Sequence, residues 1–234
     1  LAEIERQLGI LAEEVENLKI GDDVIEAGGE SFMPGLAPAA SKVYQKEQGL
    51  SIGGYGEALL EIFDDAKDDG SPSEKTDTFD MLRGILYFGY KFNERFVFNS
   101  EIEFEHGSTS KKGSASVEFA YIDYLYRTEL NFRGGLLLTP MGLVNELHEP
   151  TTFLGAKRPE TERRIIPSTW RENGFGVHGE LGGFTYRSYV MNGLDGSGFS
   201  ASGLRGGRQK GSKAKAEDFA WVGRVDWTDT PGLI

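Results

Sequence analysis

From Leu50 onward the chain alternates. Apolar and polar residues take turns with a period of two over eight segments: 50–63, 77–92, 95–106, 115–126, 129–139, 170–181, 184–192 and 219–228. A period of two places successive side chains on opposite faces of a β-strand. In the third segment Phe96, Phe98, Ile102 and Phe104 share one face, while Asn99, Glu101, Glu103 and Glu105 share the other. The second sets Leu82, Leu86, Phe88, Tyr90 and Phe92 opposite Arg83 and Lys91, and the eighth sets Phe219, Trp221, Val225 and Trp227 opposite Arg224 and Asp226. The fourth resists either assignment, because Tyr121 and Asp123 break its alternation. Most segments are longer than the globular mode of about 5–6 residues and suit a tilted membrane crossing.

The connections alternate too. Short ones fall at Asn93-Glu94, Arg127-Thr128, Leu181 to Gly183 and Asp229 to Gly232; long ones occupy 64–76, 107–114, 140–169 and 193–218. Tight turns at one rim and long loops at the other are the pattern of outer-membrane β-barrels. Aromatic residues crowd the short-turn ends (Tyr90, Phe92, Phe96, Tyr124, Tyr126, Phe132, Phe184, Tyr186, Trp227), as in an interfacial girdle. A soluble β-sandwich with aromatic core residues is the competing reading, but rows of charge along one face of long strands and the asymmetric loops favour the barrel. The expected fold is therefore all-β, an antiparallel transmembrane barrel over 50–234. Its expected lipid-facing residues include Leu86, Phe88, Phe98, Ile102, Phe132, Leu136, Trp221 and Val225.

Composition agrees. Of 234 residues, 32 are glycine, 12% are aromatic and only 38% are hydrophobic, which argues against a helical globule. The absence of cysteine removes disulfides and thiolate metal sites. A net charge of −12 argues against nucleic acid as a partner. The longest nearly apolar run, 134–144, is too short for a membrane-spanning helix.

Upstream of the strands, Leu1, Ile4, Leu8, Leu11, Val15 and Leu18 follow heptad spacing, which predicts a coiled-coil helix over 1–20; an amphipathic helix lying on its own domain is the alternative. Residues 21–49, with Gly28-Gly29, Pro34-Gly35 and Pro38 and no periodicity, read as a linker. A start at Leu1 with no apolar leader suggests processing. The turn at Asp229 to Gly232 suggests that the barrel portion is incomplete, the first half of a larger barrel.

The run Leu-Leu-Leu-Thr-Pro-Met-Gly-Leu-Val-Asn-Glu-Leu-His-Glu-Pro-Thr-Thr-Phe (136–153) and the run from Arg158 to Gly174 resemble a segment of bacterial outer-membrane porins of the phosphate-selective porin O and P type. The coiled coil followed by a Gly-Tyr-Gly-Glu strand opening (54–57) fits the same group. The resemblance implies homotrimers of roughly 16-stranded barrels with a long loop folded into the lumen. It also implies outer-membrane lipid and lipopolysaccharide as surroundings, in a Gram-negative envelope with the coiled coil on the periplasmic side. Selectivity for phosphate does not follow from it, because Glu57, Glu61, Glu101, Glu103 and Glu105 lie on the expected lumen faces.

The expected function is a porin, a passive diffusion channel for small hydrophilic solutes and ions; the alternative is a non-conducting anchor whose coiled coil tethers the cell wall. The connection 140–169 should fold inward and narrow the pore, since Leu143, Val144, Leu147, Phe153, Leu154, Ile165 and Ile166 need burial. Lys157, Arg158, Arg163, Arg164 and Arg171 then form an anion-attracting cluster, with bracing against barrel glutamates favoured for Arg163 and Arg164. Other expected lumen-facing groups are Glu57, Glu61, Arg83, Lys91, Glu101, Glu103, Arg133, Arg224 and Asp226. No catalytic residue, metal or cofactor is expected. Gly49 to Gly53 matches a nucleophile-elbow pattern and Gly174 to Gly179 a dinucleotide fingerprint, but neither leads into the helix its chemistry requires. The basic stretch with Arg205, Arg208, Lys210, Lys213 and Lys215 reads as a solvated loop touching lipopolysaccharide. Asp64, Asp65, Asp68 and Asp69 lack EF-hand ligand spacing.

Overall fold

The structure, a computed structural model, describes residues 33–110, 112–201 and 203–230. The coiled coil expected over 1–20, the first part of the linker and residues 231–234 lie outside the described residues.

Eight strands form one antiparallel sheet in chain order: β1 (Gly49–Glu61), β2 (Thr78–Lys91), β3 (Phe96–Glu105), β4 (Ser114–Arg127), β5 (Leu130–Leu138), β6 (Arg171–Leu181), β7 (Phe184–Asn192) and β8 (Phe219–Trp227). Each pairs only with its neighbours in sequence. The outer edges of β1 and β8 have no strand partner among the described residues. The tight connections share one rim. At one of them the Asn93 side chain accepts from the Arg95 and Phe96 amides at 2.9 and 3.0 Å, and at another Gly182 takes a φ of +59°. The long connections share the opposite rim.

The sheet's two faces differ: the charged residues are buried on one, together with Ile85, Tyr87, Val97, Phe119, Tyr121 and Tyr189, and large apolar side chains are exposed on the other. Glu101 and Asp123 are 0% exposed, and Asn99, Glu103, Arg133 and Arg187 are buried on the same face. On the other face Trp221 is 73% and Phe175 64% exposed. Leu86, Phe88, Phe132 and Val225 are exposed there with them, and Phe98, Ile102 and Leu136 half-buried.

Two bulges explain where simple alternation fails. In β4, Phe119 opposes Glu101 while Val117 opposes Ile102, so Glu118 is an extra residue. An extra residue shifts every later side chain by one position. Both Glu118 and Phe119 are buried, and Tyr121 and Asp123 fall on the polar face beyond them. In β2, Arg83 opposes Glu57 and Met81 opposes Ala58, leaving Leu82 unmatched. Phe79 and Met81, not Leu82, therefore continue the exposed apolar row.

A second layer covers the polar face. Part of it comes from the segment read as a linker, which contains a helix, α1 (Pro38–Gln45). Leu36 and Ala40 pack against Tyr87, Tyr121 and Tyr189 of the sheet. The rest comes from the β5–β6 connection, 139–170, which includes a short helix, α2 (Glu160–Arg164).

Candidate functional site

The charged face of the sheet and the two segments lying on it make one polar network. At its centre Arg133 grips Asp123 with both arms, Nε to Oδ1 at 2.7 Å and Nη2 to Oδ2 at 2.8 Å. The guanidinium also lies 4.2 Å from the centre of the Tyr121 ring. A fork geometry matching a carboxylate is the strongest kind of ion pair, and it is what allows both charges to be buried. Tyr44 of α1 adds a hydroxyl donor to Asp123 at 2.6 Å. Toward β1, Arg83 bridges Glu57 and Glu103, each at 2.9 Å. Lys91 donates to the Tyr44 carbonyl at 3.0 Å.

The β5–β6 connection is pinched at its base by Asn145. Its side-chain nitrogen donates to the carbonyls of Thr139 and Trp170 at 2.7 and 2.9 Å, and its oxygen accepts from the Trp170 amide at 2.6 Å. Beyond the neck, three side chains reach different parts of the sheet. Glu146 meets Arg187 of β7 at 3.0 Å and Arg224 of β8 at 3.5 Å. His148 meets Glu101 of β3 at 3.2 Å. Glu149 accepts from Tyr87 of β2 at 3.1 Å and from the Ala40 amide at 3.2 Å.

The residues this connection buries are its polar ones. Asn145, Glu146, His148 and Glu149 are buried, while Leu143, Leu154 and Ile165 are exposed and, of the apolar set expected inside, only Val144 is fully buried. The reason is the surface beneath: a charged face is satisfied by hydrogen-bonding partners, not by leucine.

The surroundings of His148 favour its charged form. Nδ1 faces the Asn145 carbonyl at 3.0 Å and Nε2 faces the Glu101 carboxylate at 3.2 Å. Both oxygens accept only, so an imidazole that satisfies both donates from both nitrogens. Burial pulls its pKa down, and the Glu101 carboxylate overrides that and holds it above the usual histidine value. Burial likewise raises the carboxyls of Glu146, against Arg187, and of Glu149, against the Ala40 amide.

The five cations expected to act together are separated. Lys157 pairs with Glu61. Arg163, at 2.9 Å, and Arg164 both pair with Glu160 of their own helix rather than with glutamates of the sheet, as i, i+3 and i, i+4 spacing allows. Arg171 pairs with Glu118 at 2.8 Å and donates to Ser116 at 3.2 Å. Arg158 alone among the five makes no ion pair or hydrogen bond to a described residue; its Nε is buried without a partner. Burial, and then Arg83 beside it, lower its pKa. Arg224 and Asp226 pair with each other at 2.8 Å, and Asp226 also takes Arg187.

The basic stretch in the β7–β8 connection is not simply solvated. Arg205 donates to the carbonyls of Arg163 and Ser168 at 3.0 and 2.6 Å, and Arg208 to those of Pro167 and Thr169 at 2.9 and 2.5 Å. Both arginines thus fasten one long connection to the other. Burial, and then Arg205, bring Arg208 down to about 10.

Reading the sequence for sites missed Tyr44, Glu118, Asp123, Glu146, His148, Glu149 and Arg187. The density of polar groups in Asn145-Glu146-Leu147-His148-Glu149 was the available signal for three of them. Asp123 and Glu118 were hidden by the bulge.

No family model matches the chain, and no solved structure matches it. An uncharacterized protein of Aquifex aeolicus (strain VF5) is similar, 46% identical over 206 residues, which are 85% of this chain and 46% of that protein. The chain thus spans less than half the length of this relative.

Proposed function

We propose that this chain is part of the wall of an outer-membrane β-barrel porin, a passive diffusion channel for small hydrophilic solutes and ions. One observation carries the reading: the sheet buries its charges on one face and leaves a row of large apolar side chains, from Leu86 and Phe88 to Trp221 and Val225, exposed on the other. A soluble sandwich does the reverse, packing apolar inner faces together and leaving polar ones in water. A sheet in lipid must turn apolar side chains outward and keep its polar ones inside. The sequential antiparallel order, with tight turns at one rim and long connections at the other, supports the same reading.

On this reading the open edges of β1 and β8 meet further strands of a closed barrel, since an open edge is not viable in lipid. The Aquifex relative has more than half of its length outside the matched part, which leaves room for them. The β5–β6 connection is the constriction, Arg158 is its uncompensated cation, and the protein works as a homotrimer in the Gram-negative outer membrane, with lipopolysaccharide at the long-loop rim and the heptad segment on the periplasmic side. The test is unitary conductance of the purified complete protein in a planar bilayer. Steps of defined size are expected.

One feature favours a second reading, a non-conducting anchor: 33–48 and the β5–β6 connection already cover the polar face from β2 to β8. A folded barrel, resistant to unfolding until heated, that passes no current would decide for it.

A further inference from the structure

Residues 33–48 are seated on the sheet rather than built into it. α1 has eight residues and no side chain capping its N-terminus, and a helix so short is marginal in water without a surface to pack on. The residues it buries are Ala40, Ser41 and Val43, none of them large. The wall has a notch to match. A Cβ on Gly89 of β2 would stand 2.7 Å from Val43 Cγ2 and 3.2 Å from the Phe98 carbonyl oxygen. Gly89 has no positive φ that would call for glycine, so the missing side chain serves the helix.

Just ahead of the helix, Leu36 packs with Ala40 against Tyr87, Tyr121 and Tyr189; the remaining fastenings are polar. Asn99 donates to the Ala40 carbonyl at 2.8 Å, Lys91 to the Tyr44 carbonyl at 3.0 Å, and Tyr44 to Asp123 at 2.6 Å. Water can serve each of these groups after release at little net cost. No buried charge would be orphaned either. Asp123 keeps both arms of Arg133, and Glu149 keeps the Tyr87 hydroxyl. The polar groups of the wall are therefore satisfied with the segment in place or gone, as two populated states require, and the apolar contact of Leu36 and Ala40 with Tyr87, Tyr121 and Tyr189 favours the seated one. Gly89, Lys91 and Asn99 all lie within a few residues of the tight β2–β3 connection, so the seat is at the tight-turn rim.

Resting on the channel reading above, we propose that residues 33–48 are a releasable stopper, seated inside the channel near that rim, whose departure as a unit widens it. The β5–β6 connection, held at its neck by Asn145 and by charge pairs to β3, β7 and β8, stays in place and sets the residual constriction. The stopper meets the constriction at Glu149 and, through Gly35, at Glu146, whose own pairs with Arg187 and Arg224 hold it to the sheet, so the first can leave without unfolding the second.

Two variants and one readout test this. Gly89→Ala fills the notch and disfavours the seat; paired Ala40→Cys and Asn99→Cys, in a chain with no cysteine of its own, fasten it under oxidant. Unitary conductance of the complete protein is recorded in planar bilayers. The wild type is expected to move between a smaller and a larger level, Gly89→Ala to hold the larger, and the oxidised cysteine pair to hold the smaller until reduced. If Gly89→Ala does not fold, the cysteine pair before and after reduction decides alone. A single conductance level shared by all of them overturns the stopper and leaves the channel standing. No conductance in any of them overturns both.

Discussion

Arg171, the first residue of β6, reaches past β5 to Glu118 of β4, its Nη1 2.8 Å from Oε2, with both side chains almost wholly buried. Glu118 is the bulge residue of the β3–β4 pairing, so that irregularity carries a charge whose ion-pair partner lies two strands away. Replacing Arg171 with Gln strands that carboxylate. A broken buried pair costs about 3–5 kcal/mol, so Arg171→Gln should lower the urea midpoint of the folded protein strongly. A stranded, buried carboxylate neutralises itself by taking up a proton, so the reversal potential of any properly folded fraction should stay near that of the wild type.

Arg158 should behave in the opposite way. It has no ion-pair partner among the described residues, so its charge acts on whatever passes. Burial and Arg83 disfavour its charge in the folded state, so Arg158→Gln should hold or raise the unfolding midpoint and shift the reversal potential in a salt gradient toward cation preference. An unmoved reversal potential would take Arg158 out of the ion path. Arg163→Gln, already paired with Glu160, is the matched control.

The His148 imidazole should titrate above free histidine by NMR, and Glu101→Gln should bring it down. The linked stability follows in sign. A group whose pKa is higher folded than unfolded binds its proton more tightly in the folded state, so its contribution is complete below the unfolded value of about 6.5. It is lost as pH rises through the folded value. The stability difference between wild type and His148→Gln, read from urea midpoints, should therefore be full at acid pH and shrink above neutrality. A difference that grows with pH would contradict the charged imidazole.

Outward polarity can be tested at Phe88, exposed on the apolar face of β2. Phe88→Arg places a charge where the proposed membrane lies, and an arginine at the bilayer midplane costs roughly 2–4 kcal/mol, less near the interfaces. Assembly into liposomes should fall, measured by protease protection and by the heat-dependent gel shift. If the strand instead faced water, the same change would improve solubility and leave assembly untouched.

The strands were legible because alternation is a local signal: each of the eight expected segments coincides with a strand, their ends differing by no more than two residues. Parity failed at Leu82 and around Tyr121, where an extra residue is invisible to a period of two. α1 was not legible. Eight residues beginning at Pro38 carry barely two turns, and their partners Asn99, Asp123 and Glu149 lie far away in sequence. The basic cluster from Lys157 to Arg171 was visible as composition, but pairing decides what a cation does, and Glu160, Glu61 and Glu118 could be matched to their arginines and lysine only in three dimensions.

Strand order running in step with the chain has a consequence for how the molecule comes together. Every strand can zip onto its predecessor after closing a single connection, whereas the link from Glu149 to the Ala40 amide joins positions 109 apart. The entropy lost in closing a loop rises with its length, and contacts between near neighbours in sequence form soonest. Hairpins should therefore accumulate in order from β1. The 33–48 segment can find its seat only after the sheet through β5 and the connection bearing Glu149 have been made, so docking it is among the last events of folding.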